Sequence, residues 1–319
     1  MKSIIIERDF ENSRIDDTLE PIVRENQTLL MVKAVGICQS DISRVFNQSA
    51  YYYPIVLGHE FSGITKYGDS ATVFPIIPCM NCDECKNENY AQCSNYSYYG
   101  SRENGGMRER IAINDWNLIY DNVLDCEELA LIEPSAVAMN AYNKVPENSE
   151  NVLINGCGFI ALVEAQILLS KGKKVYIRNR NQEKLKFSLD NFDLEKYENQ
   201  KIDCVIDFVS NSDSMNYLIE NISPHGTIIS VGNPSNDVNV LKNNYSKILR
   251  KELDIKGIWN SKKSDWIDVI SLIKNKQIDV KKLITHKYHY SEFKKAFEKI
   301  RQNQIDHNEL VIKSMILFD

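Results

Sequence analysis

Long apolar runs are missing from this sequence. No stretch of its 319 residues approaches the ~20 apolar positions a helix needs to cross a bilayer. The first residues, MKSIIIERDFENSR, set charges directly after three isoleucines, so the apolar core of a secretory signal is absent as well. Basic charge is not in excess: 38 Lys and Arg stand against 44 Asp and Glu, a formal charge of −6. Such a chain gains little from the counterion release that drives binding to phosphate backbones, which argues against a nucleic-acid partner. Internal repeats and low-complexity linkers are lacking too. With 43% hydrophobic and 26% charged residues, wholesale disorder and collagen-like structure are excluded. The expectation is a cytoplasmic protein with no membrane partner, long enough for two domains and a sizeable core.

Cysteine is present in quantity and in clusters. Four of the eight fall between Cys79 and Cys93, where an even spread would put about 0.4. In a chain without an export signal, clustered thiols point to metal ligands rather than disulfides. The spacing is Cys79-x2-Cys82-x2-Cys85-x7-Cys93. Zinc in a structural site takes four thiolates in a tetrahedron, and x2 spacings let a tight turn aim two sulfurs at one ion. Unrelated thiols are the bland alternative, but a segment as polar as MNCDECKNENYAQ has no core for them to fill. Four protein ligands leave no open position, so this zinc would brace a lobe and do no chemistry.

The organisation along the chain changes near residue 150. The first third alternates short apolar runs, TLLMVKAVGI (28–37), ATVFPIIP (71–78) and RERIAI (108–113), with turn residues, as an all-β unit does. Residues 127–145 have helical periodicity, with a break or a fresh first turn expected at Pro134. From Asn151 strands and helices alternate: VLIN (152–155), a helix over 159–172, KVYIR (174–178), CVIDFV (204–209), a helix over 214–222, and TIISVG (227–232). That repetition predicts a doubly wound parallel sheet. Between Arg180 and Asp203 there is room for one short helix and little else. The tail carries helical periods in WIDVISLIKNK and EFKKAFEKIRQ, then a strand-like ELVIKSMIL.

Two further constellations carry chemistry. Gly156-Cys157-Gly158-Phe159-Ile160-Ala161 follows a strand and opens a helix, the context a dinucleotide-binding turn requires. Gly156 and Gly158 permit the tight turn and the approach of a pyrophosphate to the helix N-terminus, with Ala161 as the small third residue. A glycine-rich turn without a ligand is the alternative, and Cys157 reads as a packing residue. The other constellation is dispersed: Cys38, Ser40 and Asp41 in GICQSD, His59 and Glu60 in GHE, and Glu133 in EP. A catalytic zinc takes three ligands from Cys, His and carboxylate and keeps one position open. Regular strand alternation would forbid His59 and Glu60 from facing one ion, so one of them would be a ligand and the other a switch or a supporting group.

GICQSD, GHEFSG, the four-cysteine lobe, ENGGMRER, IEPSAVAMNAY and GCGFIA occur in the order found in zinc-dependent medium-chain alcohol and polyol dehydrogenases. The chain resembles that family over nearly its whole length. YYYPIVLGHEFSG, YYGSRENGG and SKILRKELDIKGIW look like its galactitol-1-phosphate and sorbitol dehydrogenase branch. The resemblance implies a GroES-like catalytic domain over 1–138, with the zinc lobe at 79–93. A Rossmann domain over 139–264 is inserted, and a return segment over 265–319 completes the catalytic domain. It implies two zincs per chain: a structural one on the four clustered cysteines, and a catalytic one on Cys38, His59 and Glu133. Glu60 would be a fourth, exchangeable ligand or a carboxylate waiting behind the metal. Ser40 matches the hydroxyl that relays the substrate proton, and Asp41 the carboxylate that orients the histidine. The nicotinamide cofactor would lie on Gly156, Gly158, Phe159, Ile160, the end of the second strand, and Val231-Gly232. A homodimer or homotetramer is implied as well. Two segments look shortened against the family, 63–72 and the stretch after Arg180.

The expected reaction is hydride transfer between a nicotinamide and a secondary alcohol or ketone of a polyol or polyol phosphate. Tyr51 and Arg102 are candidate substrate contacts; the alternative is that the tyrosines pack the lobe and Arg102 pairs with a carboxylate. A reductase making a pentitol 5-phosphate from a ketose phosphate is the runner-up, and a family member that has lost catalysis a further alternative. A zinc ribbon contacting nucleic acid is disfavoured, since Asp83, Glu84 and Glu88 in the lobe face one Lys86. At the position ~20 residues past the glycine motif, where a carboxylate selects NAD, stands Asn179, flanked by Arg178 and Arg180. A guanidinium can clasp a 2′-phosphate bidentately, so NADP is expected in preference to NAD, with Arg180 favoured over Arg178.

Overall fold

The apolar runs of the first third fold as strands of an antiparallel sheet. In this computed structural model, residues 1–306 and 309–319 are described. The strand Gln27–Gly36 is central. It pairs with Glu60–Thr65, which continues to Ser70–Val73 and Leu118–Tyr120, and also with Arg110–Asn114. On its other side lies Lys313–Leu317, followed by Ile284–His289 in parallel. The segment between Gly63 and Thr72 is a tight hairpin, in which the Thr65 amide donates to Asp69 O at 2.8 Å and Gly68 takes φ +93°. Beneath the sheet sits a core that includes Leu30, Val35, Leu57, Phe61, Met107 and Phe297.

The second architecture is a six-stranded parallel sheet. Its spatial order is Glu195–Lys196, Lys174–Arg178, Asn151–Asn155, Cys204–Asp207, Thr227–Ser230, Asp254–Gly257. Numbered along the chain that is 3-2-1-4-5-6, the doubly wound order whose ligand crevice lies at the carboxyl ends of strands one and four. Its inner strands are almost wholly buried, the pattern of a parallel sheet covered on both faces. The third strand is two residues long, preceded by the single helix Gln182–Asn191.

The chain divides into two compact units. One comprises Met1–Pro134, Lys262–Ile270 and Val280–Asp319; the other comprises Ser135–Ser261 and Ser271–Asp279. The divisions lie near the expected 138 and 264, but 271–279 goes with the parallel sheet instead of the return segment. Gln166 explains this: its side chain accepts from the Asp279 amide at 2.7 Å and donates back to Asp279 O at 3.4 Å. The expected helix 127–145 is two helices, Cys126–Ala130 and Ile132–Tyr142. Pro134 is the third residue of the second, in the first turn, where its missing N–H costs no bond.

One interior residue breaks the pattern of this fold. Glu164, on the helix Phe159–Ser170, is wholly buried, and neither carboxyl oxygen makes a hydrogen bond. Burial pushes its pKa well above the usual carboxylate value, against modest relief from the Tyr142 backbone. Because the folded state holds this proton to higher pH than the unfolded one, the group stabilises in acid and its contribution is lost as pH rises. Glu164→Met should therefore stabilise the protein by about 1–3 kcal/mol at pH 8 and by less at pH 5, giving a flatter profile of Tm against pH. Thermal unfolding across that range tests it; a variant less stable than the parent at pH 8 would contradict it.

Candidate functional site

The site in the first unit is built on the mouth of the central strand pair. Gly36 ends one strand and is paired with Glu60, which starts the next. A Cβ on Gly36 would stand 2.1 Å from a Glu60 carboxylate oxygen, so only glycine leaves room for that side chain. Two residues beyond Gly36, Cys38 caps the helix Gln39–Phe46, and Asp41 in its first turn accepts from the Cys38 amide at 3.1 Å. Ile42 and Val45 are buried on one face of that short helix, with Asp41 buried beside them.

Cys38, His59 and Glu60 bring one ligand atom each within 4.8 Å of one another, a group that could hold a metal ion. Both members of the His59–Glu60 pair therefore reach one point, contrary to the alternation argument. The reason is local: His59 lies before the strand begins, after Gly58 at φ +94°, so strand alternation does not govern it. Glu133 stands outside this group of three. Its Oε1 accepts from the Tyr98 hydroxyl at 3.1 Å, and the Tyr98 ring lies 5.8 Å from that of His59. Burial, with His59 opposing and Glu60 reinforcing it, pushes the Glu133 carboxyl up to about 7.

The electrostatics of the group favour a cation. His59 Nδ1 faces Asp41 Oδ1 at 3.5 Å, which leaves Nε2 as the nitrogen for a metal. Burial pulls the imidazole pKa down, but Asp41 and Cys38 outweigh it and raise it well above its usual value. A pocket that holds a proton this firmly is one in which a divalent ion finds its charge already answered, and the Cys, His and carboxylate donors suit zinc. Asp41 is in turn tied to Arg44 Nη1 at 3.2 Å, and the same nitrogen donates to Ser40 Oγ at 2.8 Å. Behind the group lies a residue that sequence reasoning missed. Lys313, buried at the start of the strand Lys313–Leu317, forms an ion pair with Glu60 and donates to Ile37 O at 3.3 Å. Its signal in the sequence is a lone lysine within the apolar run ELVIKSMIL, which the sequence reading passed over.

The four clustered cysteines meet in one place. Cys82 and Cys85 sulfurs are 3.4 Å apart and those of Cys79 and Cys85 3.9 Å, while the Cys79 amide points to Cys93 Sγ at 3.4 Å. All are free thiols. Zn–S bonds of about 2.3 Å place tetrahedral sulfurs roughly 3.8 Å apart, which this cluster matches. Backbone donors from Asn81 and Cys82 pull the Cys79 thiol down to about 6, towards the thiolate that binds metal.

In the second unit, Gly156 takes φ +125° directly after the strand Asn151–Asn155, and Gly158 caps the helix Phe159–Ser170. A Cβ on Gly158 would meet nothing within 4 Å, so open space lies at that helix N-terminus, as a pyrophosphate requires. Cys157 is buried and its thiol is pushed up to about 11 by that burial, which fits packing and not reactivity. Phe159 and Ile160 form the first turn, and the Val231 and Gly232 amides donate to Asp207 O at 2.9 and 3.2 Å, at the same end of the sheet. Arg178 is committed elsewhere: it donates to Asn155 Oδ1 at 3.2 Å and lies 3.7 Å over the Tyr217 ring. The strand ends at Arg178. Asn179 donates to Asn181 O, and Arg180 is exposed. Sequence reasoning also missed the network beneath them, Asn155 donating to Asp207 Oδ1 at 2.7 Å and Ser214 Oγ at 2.6 Å.

These features coincide with what comparison with known proteins finds. Residues 24–121 match the alcohol dehydrogenase GroES-like domain, and residues 193–275 match the zinc-binding dehydrogenase domain. Galactitol 1-phosphate 5-dehydrogenase of Escherichia coli is 26% identical, over 98% of this chain and 100% of its own. Sorbitol dehydrogenase of Halalkalibacterium halodurans is also 26% identical, over 91% of this chain and 93% of its own. The crystal structure of the Escherichia coli galactitol-1-phosphate dehydrogenase superposes with a TM-score of 0.88 at 26% identity, covering both chains completely. The order of the strands, the two matched domains and these relatives together place the chain in the zinc-binding, medium-chain alcohol dehydrogenase family.

Proposed function

We propose that the protein is a zinc-dependent oxidoreductase that moves a hydride between a nicotinamide cofactor and a secondary alcohol or ketone of a polyol. The observation that carries this reading is the convergence of Cys38, His59 and Glu60 within 4.8 Å, with Glu133 held close by Tyr98. A bound zinc supplies Lewis acidity that lowers the pKa of a substrate hydroxyl, and a bound nicotinamide supplies the hydride acceptor or donor. Cys38, His59 and Glu60 would hold the metal, and Asp41 would keep the imidazole in the orientation and tautomer that the metal needs. Arg44 occupies a lone pair of Ser40 Oγ, which leaves that hydroxyl's own proton to exchange with the substrate oxygen. Glu133 is the second carboxylate at the pocket, held by the Tyr98 hydroxyl, and would join Cys38 and His59 on the metal, with Glu60 as the exchangeable ligand. Cys79, Cys82, Cys85 and Cys93 would hold a second, structural zinc.

NADP is the cofactor we favour. Asn179 brings no carboxylate to repel a 2′-phosphate, and Arg180 is exposed beside it, whereas Arg178 is occupied by Asn155 and Tyr217. The reading of the protein as a ketose-phosphate reductase draws on the same preference, since NADPH is most simply used for reduction.

Three outcomes are expected. His59→Ala or Glu133→Ala abolishes turnover while cofactor affinity, read by nicotinamide fluorescence, stays within about twofold; affinity falling in step with activity would refute the assignment. Asp41→Asn lowers metal affinity by about 10- to 100-fold in competition with a chelator, because the histidine loses its orienting partner. Steady-state kcat/KM favours NADP over NAD, and Arg180→Ala narrows the gap; a preference for NAD that survives the substitution would rule out this cofactor assignment.

A further inference from the structure

The substrate candidates Arg102 and Tyr51 engage one another. The guanidinium carbon lies 5.0 Å from the Tyr51 ring centre and its edge donates to Tyr51 OH at 3.4 Å, with no carboxylate among the described residues paired to it. An unsatisfied polar group with a more telling place in the fold lies in the second unit, where the chain leaves the fourth strand, Cys204–Asp207.

Asp207 gathers that turn: its carboxylate accepts from the Val209 amide at 3.0 Å and from the Ser210 amide at 3.2 Å. Ser210 takes φ +48°, in the left-handed region that glycine enters freely and a serine enters at a cost. Ten non-glycine residues among those described have positive φ, and Ser210 alone of them is buried; the other nine are exposed or half-exposed. Its hydroxyl is buried too and makes no hydrogen bond. Four residues on, the Ser214 hydroxyl is fully engaged, donating to Asp207 Oδ1 at 3.1 Å and accepting from Asn155 at 2.6 Å. A strained backbone and an orphaned hydroxyl at one buried residue both destabilise the fold, and such costs collect where a ligand is held.

The neighbours of the turn say which ligand. A Cβ on Gly232 would stand 2.9 Å from Ser210 Oγ, so the hydroxyl lies against the backbone that follows the fifth strand, Thr227–Ser230. A Cβ on Gly156 would meet Phe208 Cβ at 3.2 Å and Val209 Cγ2 at 3.8 Å, so the same turn borders the glycine turn after the first strand. A sheet ordered 3-2-1-4-5-6 has two mononucleotide-binding halves. The adenosine side belongs to strands one to three, the pyrophosphate to the glycine turn, and the nicotinamide side to strands four to six. Ser210 stands where the second half begins.

We infer that Ser210 is a cofactor contact whose hydroxyl bonds the ribose on the nicotinamide side. The inference rests on the nicotinamide oxidoreductase reading above and adds to it a residue outside the glycine turn. Serine has a single side-chain torsion, so one rotamer change carries Oγ from its buried position to a bound ribose. That ribose keeps both its hydroxyls in NAD and NADP alike, and each can donate and accept as serine does. The contact is therefore independent of the choice between the two cofactors.

Calorimetric titration of the full-length protein tests this with three probes. NADPH is whole, 2′-phospho-ADP-ribose keeps both riboses without the nicotinamide, and adenosine 2′,5′-bisphosphate has the adenosine side alone; NADH, ADP-ribose and AMP form the parallel series. Ser210→Gly should weaken binding of the first two probes by about 5- to 10-fold and leave the third within about twofold. Without cofactor the same variant should melt above the parent, because it relieves the backbone and removes the orphaned hydroxyl. Ser210→Ala, which keeps the strained Cβ, should show the same loss of binding with a smaller gain in Tm. Looser binding by a more stable protein is an outcome that a merely structural serine does not give. Unchanged binding of NADPH and NADH in Ser210→Gly would overturn the inference and leave the oxidoreductase reading standing. So would an equal loss for the adenosine probes, which would mark a general distortion of the crevice. If the parent binds none of the probes, the cofactor reading falls and the inference falls with it.

Discussion

Negative charge converges on His59 faster than the protein itself can answer it. Asp41, Glu60 and Glu133 are all buried there, with the Cys38 sulfur beside them, and the cations within reach are Arg44 and Lys313. Taking carboxylates out of water costs several kcal/mol each unless opposite charge and hydrogen bonds compensate. The surrounding chain is arranged around that constraint. Gly36 gives up a side chain so that Glu60 can fit, Gly58 turns His59 off the strand path, and Gly100 lets the following turn press against it. Each of these concessions is a backbone one, made within a sheet whose core is otherwise conventional.

The second unit solves a different problem with polar contacts held inside. Asn155, Asp207, Ser214 and Arg178 link the carboxyl ends of three neighbouring strands and a helix through direct hydrogen bonds. A network of this kind is useful only when every member is satisfied, because a buried group left over costs about as much as the bonds gain. Its location beneath the glycine turn fixes the strand ends where a dinucleotide would rest. Arg178 is consumed in that task, and Tyr217 closes over it.

Much of this was legible before any coordinates. The cysteine spacing announced the sulfur cluster, and the run from Asn151 to Ala161 announced the strand, turn and helix in their observed places. The metal group was named residue by residue: Cys38, His59 and Glu60 converge, and Glu133 stands beside them on the Tyr98 hydroxyl. Strand alternation is a rule for regular strands, and nothing local to His59 says that the strand starts one residue later. Lys313 and Arg44 escaped notice for another reason: one acts through partners distant in sequence, the other through polar contacts along its helix that an apolar stripe does not mark. Arg178 illustrates the converse, a residue whose type fitted a ligand but whose side chain was already claimed by the fold.

Lys313 carries one more implication. Its ammonium meets Glu60 and the Ile37 carbonyl, a partner 276 positions away in the chain. The strand it opens is inserted into the sheet between Ile284–His289 and Gln27–Gly36, so it is an interior strand and not an appendage. During synthesis the early strands, the thiol lobe and the whole dinucleotide fold emerge from the ribosome before this lysine exists. Until then the first unit lacks both an inner strand and the counter-ion for the buried Glu60 carboxylate. The emerging chain thus carries an open sheet edge, a surface that invites pairing with other chains, through most of its translation. Loop closure over so great a separation is slow, and it comes last. The pocket is therefore kept immature by the order in which the polypeptide is made, and a late residue brings it to completion.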